Sequence, residues 1–358
     1  MKLKSLSLLN YRVAERQDWR FDADVVSITG ANGTGKTNIL DAIHYMCLTR
    51  SYFNQQDQQL VRFGEDFFNL QAQIVEEETA NQLFCAWQQG KKVLRKNGVV
   101  YDRLADHIGL FPVVMIAPTD LDLIYEGSEV RRRFADMLLS QTDREYLLAL
   151  MRYNKILQQK QALLRQYKQD GRVDVTLLDV LDMQLLPLNV ALYSKRLAWL
   201  DQYNPLFEAL YRSISGDKEQ VGIRYESAFN GTEPAKAMQQ AGRDDLASGR
   251  CSVGIHRDDL QFTLNGHPVK RFGSQGQQKS FLISLKLAQS IFLSEMTGKK
   301  PFLLLDDIFE KLDGQRVSSL LRLVQEERFG QIFLTDTDKK RVEAIFGTTN
   351  AAVQYIEL

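Results

Sequence analysis

Eight residues, Gly30-Ala31-Asn32-Gly33-Thr34-Gly35-Lys36-Thr37, carry the spacing G-x-x-x-x-G-K-[ST] of a P-loop. The chemistry this spacing supports is phosphate binding. Glycines at 30, 33 and 35 allow positive φ and close approach, so that successive backbone N–H groups form an anion nest at a helix N-terminus. Lys36 supplies a point charge for β- and γ-phosphates, and the Thr37 hydroxyl is a ligand for Mg²⁺. With Asn38, these residues are the candidate nucleotide-binding set. Four fixed positions would match by chance in a chain this long only on the order of one time in a hundred. A second run completes the chemistry. Four apolar residues, Phe302 to Leu305, end in Asp306 and Asp307. A strand ending there puts the Asp306 carboxylate beside Thr37, where the two would hold Mg²⁺, and leaves Asp307 on the other face to polarise an attacking water. Alone such a run says little, since many strands end in an acidic turn; coupled to a P-loop it is specific. Lys36 and Asp307 are the catalytic candidates.

The elements that must position these residues are legible in the hydrophobic pattern. Val25 to Ile28 reads as a buried strand before the loop, and Ile39, Leu40, Ile43, Met46 and Cys47 as the apolar face of a helix after it. Leu3, Leu6 and Leu8 alternate with polar residues as a strand, with Trp19 to Phe21 placed to pair with it. Short strands follow the P-loop helix, and Asn97-Gly98 between two of them is a type I′ hairpin signal. Residues 111 to 117 form an apolar strand stopped by Pro118. From Asp120 the pattern turns helical. Residues 129 to 140 and 144 to 168 carry helical spacing, with Leu150, Leu157 and Leu164 one heptad apart. After a polar loop at 169 to 174 a second long helix runs from about Thr176, with a kink expected at Pro187 and a further helix opened by Asn204-Pro205. Two helices joined by a short loop read as a stubby antiparallel arm. Strand character returns at Val221 to Tyr225, a helical piece covers 234 to 248, and Asn265-Gly266 marks a second hairpin. Ser280 to Leu293 is an amphipathic helix directly after the turn Gly273 to Gln277, and Ile332 to Leu334 is a last buried strand.

At 358 residues the chain is long enough for two compact units or one domain with a large insertion. Its 45 basic and 45 acidic residues cancel, so a nucleic-acid partner has to be held by local patches. Three widely spaced cysteines, Cys47, Cys85 and Cys251, argue against a disulfide framework and a thiolate zinc site. The opening MKLKSLSLLNYR lacks the apolar core and cleavage site of a secretion signal, and no stretch approaches 18 apolar residues, which points to a cytoplasmic protein. Lys91, Lys92, Arg95 and Lys96 make the first hairpin basic, which reads as a DNA footprint or as a charged sheet edge that resists aggregation. The first arm helix holds Arg152, Lys155, Lys160, Arg165 and Lys168, with Arg172 just beyond; a DNA-facing role and a solvated face both fit. Arg50, Arg152, Lys155 and Lys160 are the candidate DNA contacts. Arg131 to Arg133 would either touch phosphate or bridge head and arm. His44 reads as a packed helix histidine, and His107 and His267 lack metal-ligand spacing.

Gly273 to Gln277 resembles the LSxGQ signature of the ABC ATPase superfamily, with Ser274, Gln275, Gly276 and Gln277 as the residues that would meet the partner subunit's γ-phosphate, and EKLD at 310 to 313 resembles its D-loop through Asp313. About 235 residues separate P-loop and signature. That interval is too long for a transporter ATPase and too short for a full SMC arm, and it resembles the RecF family. NYR at 10 to 12, GANGTGKTNILDAI, an RS followed by LVRFG, APTDLDLI, RRRFAD, GIHRDDL, SQGQQKSFLISLKLAQ and LLLDDIFEKLD carry the same resemblance. It implies an α/β fold: an ABC-type head with a mixed sheet, built from residues 1–120 and 249–358, and a helical arm inserted at 121–248. It also implies a weak DNA-stimulated ATPase using ATP and Mg²⁺. ATP would close a head-to-tail homodimer on double-stranded and gapped DNA, and cooperation with RecR and RecO would load RecA in DNA repair, replication and the SOS response. Three departures stand out. Ile255 replaces the family's proline and should loosen a turn; Gly273 replaces the signature's leucine; and residues 335 to 338, TDTD, lack a switch histidine. Asp307, one methylene shorter than the glutamate of transporters, predicts slow hydrolysis. A small-molecule P-loop kinase and a transporter-coupled ATPase are the rival readings.

Overall fold

A computed structural model describes residues 1–54, 56–171, 175–215, 219–308, 329–347 and 352–358. The chain opens with strands β1 (Lys2–Tyr11), β2 (Ala14–Arg20) and β3 (Val25–Thr29), then helix α1 (Lys36–Leu48). Strands β4 (Phe67–Glu76), β5 (Thr79–Gln88), β6 (Lys91–Lys96), β7 (Val99–Val100) and β8 (Val113–Ile116) follow. Helices α2 (Asp122–Tyr125), α3 (Ser128–Thr142), α4 (Arg144–Asp170) and α5 (Val175–Ser215) come next. Then come β9 (Val221–Glu226), α6 (Pro234–Ser248), β10 (Asp259–Leu264), β11 (His267–Pro268), α7 (Val269–Phe272) and α8 (Gln275–Thr297). Last are β12 (Phe302–Leu305), β13 (Ile332–Asp336), α9 (Lys339–Phe346) and β14 (Val353–Glu357). The expected D-loop residue Asp313 and the arm residue Arg172 lie outside the described residues.

The chain divides into two compact units, one of Met1–Leu121, Ala209–Lys218 and Gln275–Leu358, the other of Asp122–Glu208 and Glu219–Ser274. In the first, strand order β14-β3-β13-β12-β8 forms a five-stranded sheet whose neighbours are all parallel. Its strands VVSIT, FLLL, VVMI and IFLTD are buried at every position. That pattern is what parallel strands covered on both faces require, and each fully buried aliphatic side chain contributes about 1.5–3 kcal/mol. A six-stranded antiparallel sheet, β2-β1-β4-β5-β6-β7, makes up the rest of this unit. Leu3 and Leu6 are both buried although three residues apart, because the β1–β4 register shifts between Leu3 and Ser5 and turns the strand by one position. The Asn97-Gly98 turn has φ of 52° and 82°, and Lys96 pairs Val99 across it, as a type I′ hairpin demands.

The second unit packs α2, α3, α4, the body of α5, α6 and α7 with a small sheet of order β11-β10-β9. Asp143 caps α4 by accepting from the Tyr146 N–H at 2.9 Å, and Gly171 at φ 66° ends it. The expected break at Asn204-Pro205 is absent: α5 runs through both prolines to Ser215. Asn204 does not cap a helix start, because its amide is taken by β9, accepting from Ile223 N at 3.0 Å and donating to Ile223 O at 2.9 Å. The β10–β11 hairpin, expected in the second head segment, belongs with the helices.

Candidate nucleotide site

Strand β3 delivers Gly30 at the edge of a loop that α1 closes. Gly35, at φ 101°, is the helix N-cap and its carbonyl accepts from Asn38 N at 3.0 Å. A side chain at Gly30 would bring its Cβ to 2.8 Å from the Leu358 carbonyl oxygen, so only glycine fits there. Lys36 is buried within the loop's curve, where its Nζ donates to the carbonyls of Gly30 at 2.8 Å and Ala31 at 3.0 Å. Ala31, Asn32 and Gly33 are exposed at the rim, while Thr34, Thr37 and Asn38 are half-buried.

One hydroxyl joins the phosphate loop to the end of β12. Thr37 Oγ1 donates to Asp306 Oδ1 at 2.9 Å across 269 positions of sequence. Parallel pairing aligns β12 with β13 and β13 with β3, so all three strand ends open on the same side. Thr335, on β13, donates its hydroxyl to Asp306 Oδ1 at 2.8 Å and accepts from the Asp307 N–H at 3.0 Å. Burial pushes the Asp306 carboxyl above its ordinary value, opposed by the hydrogen bonds of Thr335 and Thr37. Asp307 takes φ 47°, and its Oδ1 is buried without a hydrogen-bond partner. A hydroxyl and a carboxylate side by side are hard oxygen donors, and a small divalent cation that keeps waters and phosphate oxygens needs no more from the protein. Among the described residues no three His, Cys, Asp or Glu groups converge as a metal site.

Asp41 and Thr335 were not among the sequence's site candidates. Asp41, on α1, is fully buried and accepts from Tyr11 OH at 2.8 Å, Arg12 Nη2 at 2.7 Å, Ser51 Oγ at 2.9 Å and Tyr52 N at 2.7 Å. It ties the NYR and RS segments to the P-loop helix, and a lone carboxylate among Ile39, Leu40, Ala42 and Ile43 was the signal. His44 is packed beneath Tyr52, donating from Nδ1 to Arg50 O at 3.0 Å, and burial lowers it to about 4.

The remaining candidates fall apart by location. Ser274 and Gln275 are exposed, Gly276 and Gln277 half-buried, and α8 begins at Gln275 directly after the turn. Arg50, Arg152 and Lys155 are exposed. Lys160 is not a surface cation: at 4% side-chain exposure it pairs with Asp182 at 2.6 Å and Asp245 at 3.4 Å, because its position on α4 faces α6. Lys92 of the basic hairpin is likewise engaged, by Asp57 at 2.8 Å and the Thr49 carbonyl at 2.6 Å. Arg131 makes a two-pronged pair with Asp259, at 2.7 and 2.9 Å, and Arg132 donates to Asp258 O at 2.6 Å. Both contacts lie inside the helical unit and neither is a head-to-arm bridge. Ile255 does not loosen its turn either. Its N–H, which proline would lack, donates to Asn189 Oδ1 at 3.1 Å, and its carbonyl accepts from the buried Arg196 at 2.9 Å. His256 is locked beside it, donating to Cys251 O at 3.0 Å and accepting from Tyr153 OH at 2.7 Å.

The family model described as the RecF/RecN/SMC N-terminal domain matches residues 2–355. A DNA replication and repair protein RecF of Flavobacterium johnsoniae is 42% identical over the whole of both chains. The chain belongs to the RecF family. The RecF of Porphyromonas gingivalis is 40% identical over all of this chain and 98% of its own. A solved RecF bound to ATP, described as a recombination mediator protein in the RecFOR pathway, is 30% identical with a TM-score of 0.86, covering 94% of this chain and 92% of that one. An SMC head bound to the C-terminal winged helix of ScpA shares the fold at 14% identity and a TM-score of 0.54. The RecF-type fold is thus an ABC ATPase head with both helices and sheets, and no helix among the described residues is long and apolar enough to cross a membrane.

Proposed function

We propose that this RecF-family chain is an ATP-dependent DNA-binding protein of recombinational repair and replication, acting in the cytoplasm as a weak, DNA-stimulated ATPase. The observation that carries the ATPase is the 2.9 Å contact of Thr37 with Asp306, which joins the phosphate loop to a carboxylate from the far end of the chain. The loop amides and Lys36 bind and orient the β- and γ-phosphates. Mg²⁺, held by Thr37 and Asp306, supplies charge neutralisation at the phosphates when bound. Asp307 orients the attacking water and takes its proton. Ser274 and Gly276 of one protomer close on the γ-phosphate of a second, so ATP holds a head-to-tail dimer around duplex DNA near single-strand junctions, and slow hydrolysis releases it. RecR and RecO join it in loading RecA. Two findings support this reading: full-length relatives are RecF proteins, and an ATP-bound RecF has the same fold. The kinase and transporter readings have no such support.

Sedimentation velocity tests the clamp. Wild type is expected to dimerise only with Mg·ATP and to retain a short duplex as the dimer, while Ser274→Arg binds ATP and stays monomeric. A wild type that remains monomeric with ATP and DNA at micromolar concentration overturns the trans-signature arrangement.

A further inference from the structure

The end of β13 holds a carboxylate that the reading above leaves without a task. Asp336 pairs in register with Thr29, and its carbonyl accepts from the Gly30 N–H at 3.4 Å, so it flanks the first residue of the phosphate loop. Its side chain is 1% exposed. Oδ1 is engaged, accepting from Asp338 N at 2.8 Å with Arg341 Nη2 at 3.8 Å. Oδ2 is buried and has no hydrogen-bond partner. Native proteins satisfy nearly all buried polar atoms, and a carboxylate oxygen left alone is among the costlier exceptions.

The neighbouring strand end has the same feature. Asp307 Oδ1 is buried and unpartnered as well, and Thr335 fixes the backbone between the two by accepting from Asp307 N. Strands β12 and β13 pair in parallel through Leu305 and Leu334, so Asp307 and Asp336 each stand two residues beyond that pair on adjacent strand ends. Two acceptor oxygens without donors, beside a phosphate loop, fit a small ligand with two donors. Water has that chemistry. With both O–H bonds directed at carboxylates, its lone pair is left for the phosphorus.

We propose that Asp336 is a further catalytic residue, accepting one hydrogen bond from the attacking water while Asp307 accepts the other; this rests on the ATPase reading. The water oxygen bonds to the γ-phosphorus, and the bond from phosphorus to the β,γ-bridging oxygen breaks with its electron pair leaving on ADP. Asp307 takes the proton directed at it and passes it to solvent. Asp336 keeps the water in line and gains no net proton.

Asp336→Asn separates this role from a structural one. Asparagine keeps the side-chain volume and the Oδ1 acceptor for Asp338 N, but turns the water-facing acceptor into a donor. Binding of a fluorescent ATP analogue with Mg²⁺, the melting temperature, and steady-state hydrolysis with and without duplex DNA are measured for wild type, Asp336→Asn and Asp336→Ala. Asp336→Asn is expected to melt and bind nucleotide like wild type and to hydrolyse about 10²-fold more slowly, with KM unchanged. Wild-type turnover in Asp336→Asn overturns the proposal. So does a pattern in which only Asp336→Ala fails and does so by melting early, since Asp336 would then merely tie the start of α9. If wild type binds ATP and never hydrolyses it, the ATPase reading falls, and this one with it.

Discussion

Burial decides the protonation of His44, His107 and His256, and through them part of the acid stability. His107 has no solvent exposure; Nε2 donates to Met46 O at 2.7 Å and Nδ1 accepts from Tyr101 OH at 3.1 Å. Desolvation lowers it to about 4 from an ordinary 6.5. The unfolded chain takes up this proton near pH 6.5, whereas the folded chain refuses it until about pH 4. The contribution is therefore complete above pH 6.5 and lost as pH falls toward 4. Between pH 7 and 5 one such group costs about 2 kcal/mol of stability. Urea unfolding of His107→Gln, whose amide can still donate to Met46 O, should lose about 2 kcal/mol less than wild type over that interval. Parallel losses in the two proteins would mean that His107 is protonated freely in the fold. At this scale the sequence was most informative where chemistry fixes the residue type. Gly30, Lys36, Thr37 and Asp306 were picked out by residue type and spacing, and the fold brings Thr37 and Asp306 within 2.9 Å. Thr335 and Asp336 were read only as a missing histidine, since a polar tetrapeptide after a strand carries no periodicity and the partners of Thr335 lie 28 and 29 positions away.

Among the elements, the buried parallel strands were the most legible. A run of four or five apolar residues between polar ends has few alternatives, and β3, β8, β12 and β13 all lie where such runs predict them. Helix continuity was harder. Proline at an interior position removes one hydrogen bond and strains the preceding turn, at a cost of about 3 kcal/mol, so sequence reasoning breaks α5 at residue 205. Tertiary packing overrides that cost: Leu185, Leu192, Tyr203, Phe207 and Tyr211 on the same helix are all buried. Pro187 is exposed and therefore contributes little packing of its own. Pro187→Ala should restore the N–H bond to Met183 O and raise the urea midpoint of the chain, by about 1–2 kcal/mol in stability. A lower midpoint would show that the helix path set by Pro187 is needed for the packing of Leu181, Leu185 and Leu192.

For the molecule as a whole, zero net charge makes the proposed DNA affinity a question of which cations remain available. Helical spacing alone could not sort the arm's basic residues, because Lys160 and Lys155 look alike in sequence. In the fold they are opposites. Lys155 and Arg152 are exposed with no ion pair among the described residues, whereas Lys160 is enclosed between Asp182 and Asp245. Each phosphate contact releases condensed counterions and contributes about 0.9 to the slope of log affinity against log salt. If the exposed face of α4 meets the backbone, Arg152→Ala/Lys155→Ala should lower that slope by about 2, read from fluorescence anisotropy of a labelled duplex between 50 and 200 mM salt. Lys160→Met should leave the slope unchanged and instead destabilise the helical unit by about 3 kcal/mol, because it strands Asp245 as an unpaired buried carboxylate. The pair of variants makes the test symmetrical. An unchanged slope in the double variant would move the DNA contact off the arm and onto other surfaces, such as Lys91 and Arg95 on the exposed edge of the β5–β6 hairpin, where the same measurement on Lys91→Ala/Arg95→Ala would find it.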